Sequence, residues 1–267
     1  MTSALAIDAI ILAGSRPGRD ALLGDSGVTT KALVPIGGRA MLLHVTDALL
    51  SSDGIGTIRI LAQDSAALAC APELAALTGH ARISFHDSGA GISSSLAAVV
   101  GAHAAPLLVT TADNVLLTPQ MIADFLAGSS GSDVAVAMVA RDNLLARYPQ
   151  SRRTWLKFRG GWWSGANLFR FGGRQVLPLL DFWSAIEQDR KKGLRIVAAF
   201  GPGLLIAALL RLITIQQGVQ RAARRFGIVD ARVVAMCQPE ACIDADKPAD
   251  IEMIEEILAA RQADASA

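Results

Sequence analysis

The first half of the chain alternates short β-branched runs with longer amphipathic stretches, and this alternation restricts the fold more than any other feature. Strands are expected at Ala6 to Ala13, Thr57 to Ala62, Ile83 to His86, Leu107 to Thr111 and Val134 to Val139. Between them, Arg39 to Ser51 carries Met41, Leu42, Val45, Ala48 and Leu49 at three- and four-residue spacing, and Ser93 to Ala104 opens with serines able to cap a helix. Strands that alternate with helices read as a largely parallel sheet covered by helices, an α/β fold.

At 267 residues the chain is long enough for one large α/β domain. The spread of apolar segments favours a single domain over residues 1–267, with a ligand-binding half of about 1–140 and a second half of about 141–267. In that second half Trp155 to Phe158 and Gly165 to Phe171 are expected strands around a turn Gly160-Gly161-Trp162-Trp163. An apolar, glycine-interrupted helical insertion covers about 177–226, followed by a strand near Arg232 to Met236 and a helix from Pro248 to Ala260.

A net charge of +1 argues against nucleic acid as a partner. The charge is uneven, because Arg141 to Arg195 holds twelve Lys or Arg against four Asp or Glu and should face something anionic. Cys70, Cys237 and Cys242, with only four histidines, form neither a disulfide framework nor a zinc cluster. The N-terminal MTSALAIDAIILAG lacks the basic start and cleavage site of a signal peptide, so a cytoplasmic protein is expected.

Chemistry concentrates at two places. Strand one runs into Leu12-Ala13-Gly14 and then Ser15-Arg16-Pro17-Gly18-Arg19, continuing to Lys31-Ala32-Leu33-Val34-Pro35-Ile36-Gly37-Gly38. A small-residue loop at the carboxyl end of a first parallel strand lets backbone N–H groups approach phosphate oxygens. It is neither a dinucleotide fingerprint nor a Walker A loop, since neither spacing is present. The apolar run Leu107 to Thr111 then delivers Asp113 towards the same end of a sheet, where a carboxylate can hold a divalent ion against a phosphate. A second acidic segment, Ile243-Asp244-Ala245-Asp246-Lys247-Pro248, precedes the last helix, which it could equally serve as a cap.

L-A-G, an Arg, and then K-A-L-V-P-I-G-G-R-A-M-L resembles the signature of the sugar-phosphate, molybdenum-cofactor and methylerythritol-phosphate nucleotidyltransferases. The resemblance implies a Rossmann-like, GT-A type three-layer α/β/α fold with a mostly parallel mixed sheet. It implies that Leu12, Ala13, Gly14, Ser15, Arg16 and Gly18 contact the nucleotide, and that Arg19 and Lys31 neutralise the triphosphate. Asp113 becomes a catalytic metal ligand, joined by Asp246 with Asp244 as alternative, and the metal is Mg²⁺. Ser15 and the Arg16-Pro17-Gly18 core depart from the family loop, so Arg16 could share the role of Arg19.

Further along, Gly89 to Leu96 is similar to the base-contacting segment of the cytidylyltransferases, which implicates Ser93 and Ser94 and favours CTP. Trp162 to Arg170 resembles the acceptor strand, with Gly165 and Asn167 at the second substrate and Arg152, Arg153, Lys157 and Arg159 as candidate phosphate ligands. The implied reaction transfers an NMP from an NTP to a phosphorylated small-molecule or lipid-precursor acceptor and releases pyrophosphate. A GT-A type glycosyltransferase or a non-catalytic, membrane-associated nucleotide-binding module is the alternative. The stretch Ile196 to Leu210, almost wholly apolar, with Arg221, Arg224 and Arg225 after it, suits a buried core, a homodimer interface or a peripheral contact with the inner membrane face; burial is favoured.

Overall fold

The computed structural model describes residues 6–14, 22–24, 27–89, 91–103, 105–187 and 199–266. In chain order its elements are β1 (Ile7–Leu12), β2 (Pro35–Ile36), β3 (Arg39–Ala40), α1 (Met41–Leu50), β4 (Ile55–Ala62), α2 (Ser65–Ala69), β5 (Ile83–Asp87), α3 (Ile92–Ala102), β6 (Leu107–Thr111), α4 (Pro119–Ser129), β7 (Val134–Ala140), α5 (Arg141–Arg147), β8 (Leu156–Phe158), β9 (Gly161–Phe171), α6 (Leu177–Glu187), α7 (Pro202–Leu209), α8 (Ile215–Arg224), β10 (Ala231–Ala235) and α9 (Pro248–Ser266). The result is an α/β chain whose strand pairs are mostly parallel. By internal contacts it divides into two compact units that interleave in sequence: Met1–Ser88, Val109–Ala123 and Ile243–Ala267 form the first, and Gly89–Leu108 and Asp124–Cys242 the second.

In the first unit β1 pairs in parallel with β4, and β4 with β5, while the Val109–Thr111 end of β6 lies on the other side of β1. Ile10, Ile11, Ile58 and Ile60 are wholly buried, as expected of parallel strands covered on both faces. Helix α1 begins at Met41, two residues later than the sequence pattern suggests, because Arg39–Ala40 is taken up as β3 in a hairpin with β2. Gly37 and Gly38 make that hairpin's two-residue turn with φ of 56° and 76°, a conformation open to glycine without steric cost. Met41, Leu42, Val45, Ala48 and Leu49 all face inward.

In the second unit β7 pairs in parallel with β10 and antiparallel with β9, and β9 pairs antiparallel with β8. Trp162 and Trp163 belong to β9 and not to the turn expected at Gly160 to Trp163; the chain reverses at Arg159-Gly160 instead. The register of β7 with β9 shifts between Val136 and Met138, and Asn167, with φ of 49°, stands within the bulge. Strand β10 ends its sheet, and the side chains of α8 cover its outer edge. Gln216 donates to Ala231 O (2.7 Å) and accepts from Val233 N (2.7 Å), while Gln220 donates to Val229 O (2.6 Å) and accepts from Ala231 N (3.0 Å). Two carboxamides one helical turn apart thus take the place of a neighbouring strand and protect an edge that would otherwise invite pairing.

The expected helical insertion is present as α6, α7 and α8, joined by a cluster of Phe182, Phe200 and Phe226 with ring centroids 4.9 to 5.9 Å apart. Residues 188–198, including Arg195 and the start of the Ile196 to Leu210 stretch, lie outside the described residues. The burial expected of this stretch is in a core or a dimer interface; within this chain α7, its described helix, has no buried residue.

Candidate active site

In the first unit, the chemistry-bearing residues are delivered by segments whose apolar neighbours are fully buried. Ala13 N donates to Leu61 O and Ala112 N to Leu12 O, so the carboxyl ends of β4, β1 and β6 stay side by side one residue past the strands. Asp113 therefore emerges beside Leu12, Ala13 and Gly14. A Cβ on Gly14 would come 3.0 to 3.2 Å from the Gln63 carboxamide, which accounts for a small residue there. Ser15, Arg16, Gly18 and Arg19 lie outside the described residues.

Lys31 opens a 3-10 turn, Lys31–Leu33, anchored by buried Ala32, Leu33 and Val34. The acidic segment before α9 alternates strictly, with Ile243 and Ala245 wholly buried and Asp244 and Asp246 at the intervening positions. Ala245 N donates to Asp113 O at 3.0 Å, fixing this segment to the end of β6. The two acidic segments, whose first aspartates are 131 positions apart in sequence, thus become neighbours in space.

Lys31 Nζ donates to Asp113 Oδ2 at 2.7 Å and to Asp246 Oδ1 at 2.6 Å. Asp113 Oδ1 also accepts from Thr111 Oγ1 at 2.5 Å. Burial pulls the Lys31 ammonium towards neutrality, but the charges and hydrogen bonds of Asp113 and then Asp246 outweigh it and hold the pKa above that of an ordinary lysine. Carboxylate oxygens of Asp113, Asp244 and Asp246 lie within 4.8 Å of one another. Three carboxylates around one ammonium leave a negative surplus, and a compact set of hard oxygen donors fits a divalent cation such as Mg²⁺. The expected ligands Asp113 and Asp246 and the alternative Asp244 are thus brought together with Lys31.

The remaining predicted residues belong to the second unit. The serines at the start of α3 satisfy its own backbone: Ser94 Oγ donates to Gly91 O (2.9 Å) and accepts from Gly91 N (3.2 Å), and Ser95 Oγ donates to Gly91 O (2.7 Å) and accepts from Gly89 N (2.8 Å). Ser93 is buried. Gly165 is exposed on β9 with open space above its Cα, and Asn167 is half-buried.

Sequence reasoning missed the surroundings of Trp162. The Arg141 guanidinium and the Lys157 ammonium stand over its ring at 4.8 and 4.3 Å from the centroid, and a cavity of about 450 Å³ is lined by Arg141, Phe158, Arg159, Trp162 and Arg211 among others. Of the four basic residues expected there, Arg159 lines the cavity and Lys157 stacks on its tryptophan, whereas Arg152 and Arg153 do neither. The local charge surplus was the available signal, and Arg141 lay at its boundary.

Among solved structures, the chain is similar to a hypothetical transferase from Thermus thermophilus, with 26% identity over 92% of this chain and 100% of that one and a TM-score of 0.76. It is also similar to a CMP:2-keto-3-deoxy-manno-octonic acid synthetase complexed with CTP, at 15% identity over 96% and 99% of the two chains and a TM-score of 0.57. A 4-diphosphocytidyl-2C-methyl-D-erythritol synthase from Anaerococcus prevotii gives 12% identity over 96% of each chain and a TM-score of 0.60. The fold expectation therefore holds: this is the Rossmann-like α/β fold of nucleotidyltransferases. A search of curated sequences found no match. The profile of the MobA-like NTP transferase domain matches residues 9–225, and the chain belongs to that family.

Proposed function

We propose that this member of the MobA-like NTP transferase family is a Mg²⁺-dependent enzyme that transfers an NMP, from CTP by preference, to a phosphorylated acceptor. An acceptor phosphate oxygen bonds to the α-phosphorus, the bond from that phosphorus to the β-phosphate bridging oxygen breaks, and pyrophosphate leaves with the electron pair. The acceptor phosphate is itself the nucleophile, so the reaction needs no general base.

The observation that carries this reading is the convergence of Lys31, Asp113, Asp246 and Asp244 at the strand ends beside Gly14. In it Lys31, with Arg19 from the phosphate loop, neutralises charge on the triphosphate and on departing pyrophosphate. Asp113 and Asp246, with Asp244 as the alternative second ligand, hold Mg²⁺, which when bound supplies charge neutralisation at the α-phosphate. Leu12, Ala13, Gly14, Ser15, Arg16 and Gly18 orient the phosphates, Ser93 and Ser94 the base, and Gly165 and Asn167 the acceptor. The preference for CTP draws on the serines of α3 and on the two cytidylyl-handling neighbours, one of them complexed with CTP.

The test is pyrophosphate release from each NTP with Mg²⁺ and a panel of phosphorylated acceptors, with Asp113→Ala as control. Release with CTP that falls by about 10³-fold in Asp113→Ala supports the reading. No release from the native protein with any pair, and no NTP-dependent rise in melting temperature, overturns it in favour of a binding module of another kind.

A further inference from the structure

From Arg190 to Val229 the sequence holds eight Lys or Arg and no Asp or Glu. Within it, α7 (PGLLIAAL) has no polar side chain on any face and no buried residue. Ile206, Leu209, Leu210 and Leu212 are 52%, 80%, 61% and 58% exposed, a contiguous apolar ridge of a kind water-facing helices avoid.

The basic residues beside this ridge are held in place. Helix α8 is fixed to the edge of β10 by Gln216 and Gln220, and its start is capped by Thr214, whose Oγ accepts from Gln217 N. Gly218 lets it press against Phe158, since a Cβ there would fall 2.8 Å from the ring. Arg221, Arg224 and Arg225 at the far end of α8 are exposed, and with Gly203 and Leu204 of α7 they line a cavity of about 290 Å³. The Arg225 guanidinium lies 3.3 Å from where a Gly201 side chain would begin. None of Arg211, Arg221, Arg224 or Arg225 pairs with a carboxylate among the described residues.

We propose that α7 and the arginine end of α8 form a docking surface for an anionic phospholipid bilayer. The leucines of α7 enter the acyl boundary and the arginine-lined cavity takes lipid phosphates, which guanidinium groups bind in bidentate fashion. Charge decides for lipid over a second copy of the chain: a symmetric dimer would gather these arginines against their counterparts, and none of them pairs with a carboxylate among the described residues. Contact is at the interface only, because no helix among the described residues is long and apolar enough to cross a membrane.

The test is co-sedimentation of the full chain with vesicles of phosphatidylcholine containing phosphatidylglycerol, compared with phosphatidylcholine alone. The native protein pellets with the anionic vesicles and not the neutral ones, and added salt releases it. Arg221→Gln/Arg224→Gln/Arg225→Gln weakens binding by roughly fivefold per arginine removed. Leu209→Ser/Leu210→Ser abolishes binding, while both variants keep native pyrophosphate release without vesicles. Failure of the native protein to pellet, equal pelleting with neutral vesicles, or a dimer in sedimentation velocity that Leu209→Ser/Leu210→Ser dissolves each overturns the proposal. The native comparison needs no variant to fold, and none of the vesicle or sedimentation results bears on whether the chain transfers nucleotides.

Discussion

The two charged regions of this molecule handle charge in opposite ways. At the centre built from Lys31, Asp113, Asp244 and Asp246, the cation lies within 2.7 Å of two carboxylates, and buried backbone segments fix all four residues. On the face built from α7 and α8, four guanidinium groups stand without carboxylate partners among the described residues, beside an apolar helix with no buried residue. A paired cluster with one sign in modest excess suits a small counter-ion and a reacting phosphate, where positions must hold within fractions of an ångström. An unpaired array beside exposed leucines suits an extended surface, where many approximate contacts suffice. The sharpest challenge to this contrast is Lys31→Met, which leaves the three carboxylates without their cation. Pyrophosphate release should fall by about 10²- to 10³-fold, and the melting temperature measured in chelator should drop by roughly what 1 kcal/mol produces, since Asp246 is 52% exposed and partly screened. Native activity in Lys31→Met would mean that the pairing is structural only.

The sequence revealed the paired centre better than the unpaired face, and the reason is physical. Asp113 follows a run of wholly buried strand residues, and Asp244 and Asp246 alternate with buried Ile243 and Ala245, so apolar periodicity marks where each carboxylate emerges. What pattern alone did not supply was their meeting, which depends on the hydrogen bond from Ala245 N to Asp113 O between distant segments. On the face, uniform apolarity in α7 carries no periodicity, and a helix apolar all round reads the same whether buried or exposed. Gln216 and Gln220 look like ordinary surface residues until β10 is placed beside them. At Gly160 to Trp163 two local preferences competed: the glycines favour a turn, the tryptophans a strand, and pairing of Trp162 with Lys157 and Trp163 with Leu156 decided for the strand.

The second challenge separates the regions by packing. Gly218→Val puts a branched side chain where even a Cβ lies 2.8 Å from Phe158, and should destabilise by about 1–3 kcal/mol, read as a lower melting temperature. If the arginine cavity depends on how α8 is seated, the variant should also lose affinity for anionic vesicles while its pyrophosphate release stays native at a temperature where it is folded. Equal loss of both activities would show that the two regions are coupled and not independent.

The smallest expected effect concerns a group in the first unit whose neutral form folding favours. His44 Nε2 lies 3.0 Å from Ile36 O, and the hydrogen bond there requires the ring nitrogen to carry a proton. Burial lowers the His44 pKa and outweighs the hydrogen bond to the Ile36 carbonyl, which raises it; the nearby Arg39 charge lowers it a little further, against small raising influences from Asp47 and the Arg39 backbone. A histidine depressed in the folded state contributes stability that is present above its unfolded value of about 6.5 and lost as the pH falls through the folded value, because the unfolded chain then binds a proton that the folded chain resists. Between about pH 7 and pH 5 the native melting temperature should therefore fall by a few degrees more than that of His44→Gln. Identical slopes for the two proteins would show that His44 titrates as freely as a solvated ring, and that neutrality at this position owes nothing to the packing of α1 on the β2–β3 hairpin.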